Sequence, residues 1–435
     1  MEALLAVAVL FGVFFVLLFA GVPISVSLGI ASFLTALVFL SFEESTYVVG
    51  QQMNVGIESF SLLAVPLFIF AGNIMNNGGI ARRLVDLALV LAGRVPGALA
   101  HTNVLGNMLF GSLSGSAVAA AAAIGGTLHK RQKEEGYDPA FSTAVNIASA
   151  STGLLIPPTT AAIVYSTVAG GVSISALFMA GYVPGILMGV VVMVVAWLYA
   201  RRRMAGATSP RVGLGEGLRV FLRAVPSLLL VIVVVGGIVA GVFTATEGAA
   251  AAVLYCLVLS LIYRSLSWAD LKQVVTSTVV ATGVVMFLIS ASSAMSWVMA
   301  YTGIPTAITD ALLSTADSKA IILLLMVAIL LVVGTFMDIT PAILIFTPIF
   351  LPIATELGMH PVHFGMMLIL AMCIGTMTPP VGSVLFVATG VSGVTIEQVV
   401  PRLLPYFAGL VVLLLAVTFI PALSLQLPEW LGLLG

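Results

Sequence analysis

Charge is what this 435-residue chain has least of. Only 8% of its residues are Asp, Glu, Lys or Arg, against about 25% in an ordinary soluble domain, too few to cover a water-facing surface. That shortage excludes a soluble globular protein. Sixteen basic residues nearly cancel seventeen acidic ones, so there is no basic field to hold nucleic acid. Cysteine is scarce too. Cys256 and Cys373 each lie alone in an apolar stretch, with no C-x-x-C spacing to suggest a zinc framework. A G-x-S-x-G elbow, a Walker loop and an H-E-x-x-H helix are all missing, which leaves catalysis and ATP-driven work without a foothold. His360 and His363 form an H-x-x-H pair, and a pair alone makes a poor metal site; His101 and His129 lie elsewhere, near the inner surface.

What fills the chain instead is apolar: 61% of residues are hydrophobic, with a mean hydropathy of +1.22. A helix needs about 20 apolar residues to cross a bilayer. Plain spans of that kind run over 4–20, 22–40, 60–77, 176–200, 219–241, 246–264, 279–300 and 403–422. No Lys or Arg precedes the first apolar run, so it reads as a retained helix rather than a signal peptide. Four stretches are different: 99–128 and 320–355 are long and small-residue-rich or Pro-interrupted, while 138–170 and 361–392 are broken by Pro157-Pro158 and Pro379-Pro380. Basic residues collect in cytoplasmic loops, which decides how these four run. With 99–128 and 320–355 as re-entrant hairpins and each Pro-Pro segment crossing once, every basic residue except Lys319 falls on one face. Both termini then lie outside, and the outer loop carrying Glu43, Glu44 and Glu58 has no Lys or Arg.

Sliding the chain against itself by 222 positions lays Gly136 on Gly358, Pro139 on Pro361, Gly153 on Gly375 and Pro157-Pro158 on Pro379-Pro380. Two copies of one unit explain this economically. An odd number of crossings separates the hairpins, so the second copy is inverted, as in secondary transporters with broken helices near the midplane. The expected fold is an all-α polytopic membrane protein with inverted-topology repeats, two re-entrant hairpins and two discontinuous helices. The units are N-terminal scaffold helices (1–58), a first repeat (59–200), a cytoplasmic linker (201–218), central scaffold helices with an amphipathic arm (219–278), a second repeat (279–422) and a tail (423–435). Segments 80–96, 267–278 and 304–319 read as amphipathic surface helices.

A Pro-Pro break inside an apolar run is costly unless protein or water satisfies the freed backbone. The first break gathers Asn146, Ser149, Ser151, Thr152, Thr159 and Thr160; the second has Thr376, Thr378 and Ser383. Hydroxyl and carbonyl oxygens suit a hard cation such as sodium. The alternative is a pair of kinked helices whose Ser and Thr bond their own backbone. The hairpin tips read GSLSGSAVA, with Ser112, Ser114, Gly115 and Ser116, and GTFMDITP, with Asp338 and Pro341. Intramembrane acids are functional candidates. Thr335 and Asp338 also stand at capping-box spacing, so helix capping and a cation-linked role are both open for Asp338. Thr244 and Glu247 have the same spacing, and capping is the favoured reading there.

The run NNGGIARRL, the tip SGSAVA, the break GLLIPP, the tip GTFMDITPAILIFTPIFLP and the break TPPVGSVLF, in that order, closely resemble the large membrane subunit of tripartite ATP-independent periplasmic (TRAP) transporters. The resemblance spans essentially the whole chain. It implies a multi-pass protein of a bacterial inner membrane that imports a small organic acid with sodium, by an elevator motion of a transport domain against a scaffold. It implies two partners as well: a small four-helix membrane subunit, expected as a separate polypeptide, and a periplasmic substrate-binding protein. Transferred by motif, one sodium site would involve Ser114, Gly115, Ser116, Ser149, Ser151, Thr152 and Gly153. The other would involve Gly334, Thr335, Asp338, Thr376, Met377 and Thr378. Substrate would meet Ser116, Asn146, Pro157, Pro158, Thr159, Pro379 and Pro380 between the tips. The family often shows a Pro and an Ala around the Thr-Glu pair where this chain has Ala245 and Gly248. The rival readings are an organic-anion transporter that needs no binding protein and a passive channel component.

Overall fold

The computed structural model of the chain describes residues 2–77, 80–93, 96–203, 213–315, 318–379 and 381–434. Pro380, Arg94, Gly79 and the middle of the 201–218 linker lie outside them. Regular structure among the described residues is helical throughout. The first group is α1 (Glu2–Phe19), α2 (Ile24–Phe39), α3 (Phe42–Val55), α4 (Ala64–Asn77) and α5 (Ile80–Ala92). A first hairpin and broken helix follow, as α6 (Ala98–Ser114), α7 (Ala117–Glu134), α8 (Pro139–Ala150) and α9 (Thr160–Val168), then α10 (Ile174–Arg203). The middle comprises α11 (Leu214–Val239), α12 (Ala245–Ile262), α13 (Trp268–Tyr301) and α14 (Ile304–Thr315). The second hairpin and broken helix are α15 (Lys319–Gly334), α16 (Ile339–Glu356), α17 (Pro361–Gly375) and α18 (Ser383–Ser392), with α19 (Ile396–Phe419) and α20 (Ala422–Trp430) closing the chain.

By length and apolarity, α10, α11, α12, α13, α16 and α19 are each able to cross a membrane. A seventh crossing is added if Phe42–Val55 and Phe60–Asn76, which meet at a 60° bend, count as one span. Together with the apolar composition, this makes the protein a multi-pass membrane protein.

Local chemistry sets the helix ends. Asp138 caps α8 by accepting from the Ala140 N–H at 3.0 Å, with Pro139 in the first turn where its missing N–H costs nothing. Its other carboxylate oxygen takes Arg402 Nε at 3.0 Å and so ties α8 to α19. Thr244 and Glu247 form the expected capping box, with Thr244 N–H donating to Glu247 Oε2 at 2.8 Å and Glu247 N–H to Thr244 Oγ1 at 3.2 Å.

Three segments depart from the sequence reading. The outer loop is the helix α3, started by a capping box in which the Ser41 N–H donates to Glu44 Oε2 at 3.0 Å. The amphipathic arm 267–278 is no separate helix: Ser267 and Asp270 cap a single helix that runs unbroken to Tyr301. The 423–435 tail is mostly the helix α20.

Two bodies of packing surround the centre. α13 lies against α2, α3 and α4, and α4 against α12. Opposite them, α7 packs on α18 while α16 packs on α9, and α8 packs on α19 while α17 packs on α10. The second arm of each hairpin is therefore seated on the C-terminal half of the other broken helix.

Candidate functional site

Each hairpin is joined to the broken helix that follows it by bare backbone. A Cβ on Gly153 would stand 2.6 Å from Gly111 Cα, and one on Gly375 would stand 2.5 Å from Gly334 Cα. Real Cβ atoms do not approach that closely, so these positions take glycine to let α6 touch the first break and α15 the second. The first tip turns at Gly115, whose φ of +61° favours glycine, and Ser116 then caps α7 by accepting from Ala119 N–H at 3.3 Å. The second tip is pinned to its break by the Val381 N–H, which donates to the Thr335 carbonyl at 3.1 Å.

The two breaks also meet each other. Ser151 Oγ and Thr376 Oγ1 lie 3.3 Å apart in the buried centre. Thr376 donates its own hydrogen to the Cys373 carbonyl at 2.8 Å, which leaves Ser151 as the donor in the pair.

Between the tips opens a cavity of about 470 Å³. Ser114, Gly115, Ser116, Asp338, Thr340, Thr376 and Ser383 line it from the hairpin side, and Gly72, Asn73 and Ser277 from α4 and α13. Four of its lining residues are the first residues of helices: Ala117 of α7, Thr160 of α9, Ile339 of α16 and Ser383 of α18. Each such end carries unpaired N–H groups and roughly half a positive charge. Such a convergence of helix N-termini favours an anion, and no Lys or Arg is among the lining residues. Asp338 supplies the negative charge in the lining. It occupies the N-cap position of α16, yet its side chain makes no capping bond; Ser383 Oγ donates to its Oδ1 at 3.2 Å instead. The Thr335–Asp338 capping box does not form, since the Thr335 hydroxyl donates back to the Val332 carbonyl at 2.7 Å.

Of the residues singled out in the sequence, Ser114, Gly115, Ser116, Thr160, Asp338, Thr376 and Ser383 share this cavity. Ser149, Ser151, Thr152, Gly153, Gly334 and Met377 are buried behind it, with Thr152 Oγ1 donating to the Ser149 carbonyl at 2.6 Å. Thr335 and Thr378 are half-buried at the second break, where the Thr378 hydroxyl donates to the Ile374 carbonyl at 2.8 Å. Thr159 caps α9 by accepting from Ala162 N–H at 3.2 Å. Pro157 and Pro158 are buried, and Pro379 is half-buried; Pro380 is outside the described residues. Asn146 faces elsewhere. Its Oδ1 accepts from Asn107 Nδ2 at 3.0 Å, its own amide donates to the Ala121 carbonyl at 2.9 Å, and Asn107 also reaches Ser149 Oγ at 2.7 Å. The histidines of the H-x-x-H pair part company: His360 caps α17, while His363 Nε2 lies 2.7 Å from the Val417 carbonyl.

Sequence reasoning missed Asn73, Ser277 and Thr340. Asn73 Nδ2 donates to Thr278 Oγ1 at 2.9 Å, which joins α4 to α13 beside the cavity. An amide inside the apolar run 60–77 was the available signal for it.

The sequence profile described as "Tripartite ATP-independent periplasmic transporter, DctM component" matches residues 11–423. The chain belongs to this family. Among its DctM relatives, the "C4-dicarboxylate TRAP transporter large permease protein DctM" of Pseudomonas aeruginosa is 39% identical over 408 residues, 94% of this chain and 95% of that one. The "Uncharacterized protein YgiK" of Salmonella typhimurium is 50% identical over 427 residues, 98% of each chain. The solved structure of the Alcanivorax borkumensis YdaH transporter, at 16% identity, shares the fold of this DctM-family chain, with a TM-score of 0.60 over 91% of this chain and 90% of that one.

Proposed function

We propose that this chain is the large permease of a TRAP transporter that imports a small organic acid together with sodium. The observation that carries the reading is the meeting of four helix N-termini in one hydroxyl-lined cavity. A carboxylate there accepts hydrogen bonds from backbone N–H groups and from serine and threonine, and it is neutralised without a fixed basic side chain. The family match and the C4-dicarboxylate relative support an acid of that size.

Sodium binds, in this reading, where each tip meets its break: Ser114 to Ser116 against Ser149 to Gly153, and Gly334 to Asp338 against Thr376 to Thr378. Hard oxygen ligands suit the ion, and Asp338 adds charge to the second site. Hairpins and broken helices act as one moving body, α1–α4 with α11–α13 as the scaffold, in an elevator stroke. The exchanged packing of α7 on α18 and α16 on α9 supports an inverted repeat. The distribution of basic residues supports a cytoplasmic linker and 129–133 cluster with both termini outside, and the family match supports a bacterial inner membrane. A small four-helix subunit and a soluble binding protein complete the importer.

Reconstitution with those partners in vesicles tests the reading. A sodium gradient alone drives uptake of the acid, and replacing Ser114 or Ser116 with Leu raises the sodium concentration needed. Uptake that ignores sodium and follows ATP overturns it.

A further inference from the structure

A small polar cavity lies between α6, α7, α8 and α18, away from the tips. Asn103 of α6, Gln132 of α7 and Ser142 and Asn146 of α8 line it, and Ala388 of α18 closes it from the far side. Its volume, taken as room for the centre of a water-sized sphere, is about 10 Å³. That holds one water molecule and is too small for an organic acid or a lipid headgroup. Two of its walls carry buried polar groups that nothing satisfies. Asn103 is 0% exposed and Ser142 is 2% exposed, and among the described residues neither Asn103 Nδ2 nor Ser142 Oγ has a hydrogen-bond partner.

A line of amides fixes which way Asn103 faces. Asn146 Nδ2 donates to the Ala121 carbonyl at 2.9 Å, an approach that Gly125 admits because a Cβ there would collide with that nitrogen. Asn146 Oδ1 is thereby turned to Asn107, whose Nδ2 donates to it at 3.0 Å and to Asn103 Oδ1 at 2.8 Å. Each amide sets the orientation of the next, and Asn103, the last in line, is left with its nitrogen for the cavity. The same Asn107 Nδ2 reaches Ser149 Oγ at 2.7 Å. Gln132 Nε2 is committed to the Leu99 carbonyl at 3.2 Å, so Gln132 has its oxygen left to accept.

We infer that this cavity is a binding site for one water molecule, which accepts from Asn103 Nδ2, bonds to Ser142 Oγ and Gln132 Oε1, and so locks the amide that holds Asn107 against Ser149. An N–H donor facing the site disfavours a bare cation, and the volume excludes an organic anion, so the chemistry selects water. Three partners is the usual number for a buried water. Deprived of that acceptor, the Asn103 amide gains by flipping, which sets its N–H groups against those of Asn107 and pushes Asn107 off Ser149. Asn103 is therefore a positioning residue for the first break. The link to sodium rests on the importer reading, in which Ser149 belongs to the first ion site; the water site itself does not.

A density map of the full chain in lipid nanodiscs, at a resolution that shows ordered water, tests the site directly. One peak at hydrogen-bond distance from both Asn103 Nδ2 and Ser142 Oγ is expected, whether the buffer holds sodium or choline. No peak there while other buried waters are visible overturns the site, and a peak confined to the sodium sample overturns water in favour of an ion. Ala388→Val and Ala388→Thr test the lock, because the two side chains share a shape and differ in one oxygen. Val fills the space with carbon. It is expected to remove the peak, to lower the melting temperature in choline, and to raise severalfold the sodium concentration that gives half of the sodium-induced rise in melting temperature. Thr offers Asn103 an oxygen and should keep that sodium midpoint near the unsubstituted value; equal midpoints in the two variants overturn the lock. A loss of packing alone would lower the melting temperature in choline without moving the midpoint. If the unsubstituted protein shows no sodium-induced rise, the importer reading and the link to the ion both fall, and the map alone decides the water.

Discussion

Ser151 and Thr376 are 225 positions apart in the chain, yet their hydroxyl oxygens lie 3.3 Å from each other in the buried centre. This contact ties the first broken helix to the second, directly behind the cavity. Replacing Ser151 with Ala removes the donor, and replacing Thr376 with Val removes the acceptor. Each change is expected to lower stability by about 1 kcal/mol, the worth of one such bond. The double variant should lose less than the sum, with a coupling of about 0.5–1 kcal/mol. Thermal unfolding of the four proteins in detergent reads the cycle; strict additivity would show that the two hydroxyls do not interact.

Gly153→Ala and Gly375→Ala place a methyl group against the backbone of Gly111 and Gly334. Neither neighbour has a side chain that can move aside, so each variant should lose about 1–3 kcal/mol and much of its transport. Gly283→Ala is the control, because nothing lies within 4 Å of a Cβ there and α13 gains about 0.5–1 kcal/mol of helix propensity. Equal yields and melting temperatures for all three would refute the close backbone contact.

Asp338→Asn separates charge from shape. The side chain makes no capping bond, and Asn serves as well as Asp at an N-cap, so stability should change by less than about 0.5 kcal/mol. Uptake should need more sodium if the carboxylate compensates the ion. Ser383→Ala removes a hydroxyl bonded to Asp338 and should give a smaller shift in the same direction. Unaltered sodium dependence in both variants would take Asp338 out of the ion site.

Acid should loosen the inner end of the first hairpin. Burial, and then the charge of Lys133, hold the His129 imidazole below its ordinary value, against a smaller opposing bond to the Ser392 backbone. The unfolded chain therefore takes up the proton first as pH falls. Stability from this group is complete above the unfolded value of about 6.5 and is lost as pH drops through the lower folded value. Melting temperature in detergent should fall between pH 7.5 and 5.5, and His129→Gln should flatten part of that slope.

Much of this architecture was legible because Pro and Gly write backbone constraints into the chain. The proline pairs placed both breaks, and the Thr244–Glu247 spacing gave its helix start correctly. Ser41 and Glu44 carried the same spacing, so α3 was readable in what looked like a loop. The join at residue 278 was not legible, since an amphipathic turn of helix and an apolar one have identical backbones when no Gly or Pro separates them. At the site, the tip serines and Asp338 announced themselves by polarity within an apolar run. The position of Asn146 could not be foreseen, because its neighbour Asn107 lies on α6 and only packing shows that their amides meet. For the same reason, spacing along the chain did not disclose that Asn73 and Thr278 form a bonded pair across two helices.

The seating of α7 on α18 and of α16 on α9 bears on how the protein is made. When the first hairpin leaves the ribosome, the surface it will rest on has not been synthesised, and the growing chain must shelter its small-residue faces in lipid or against an insertion chaperone until the last third arrives. Severing the linker after assembly should leave two fragments clasped together, whereas supplying them as separately translated pieces should make assembly slow and leave each piece exposed to quality-control proteases.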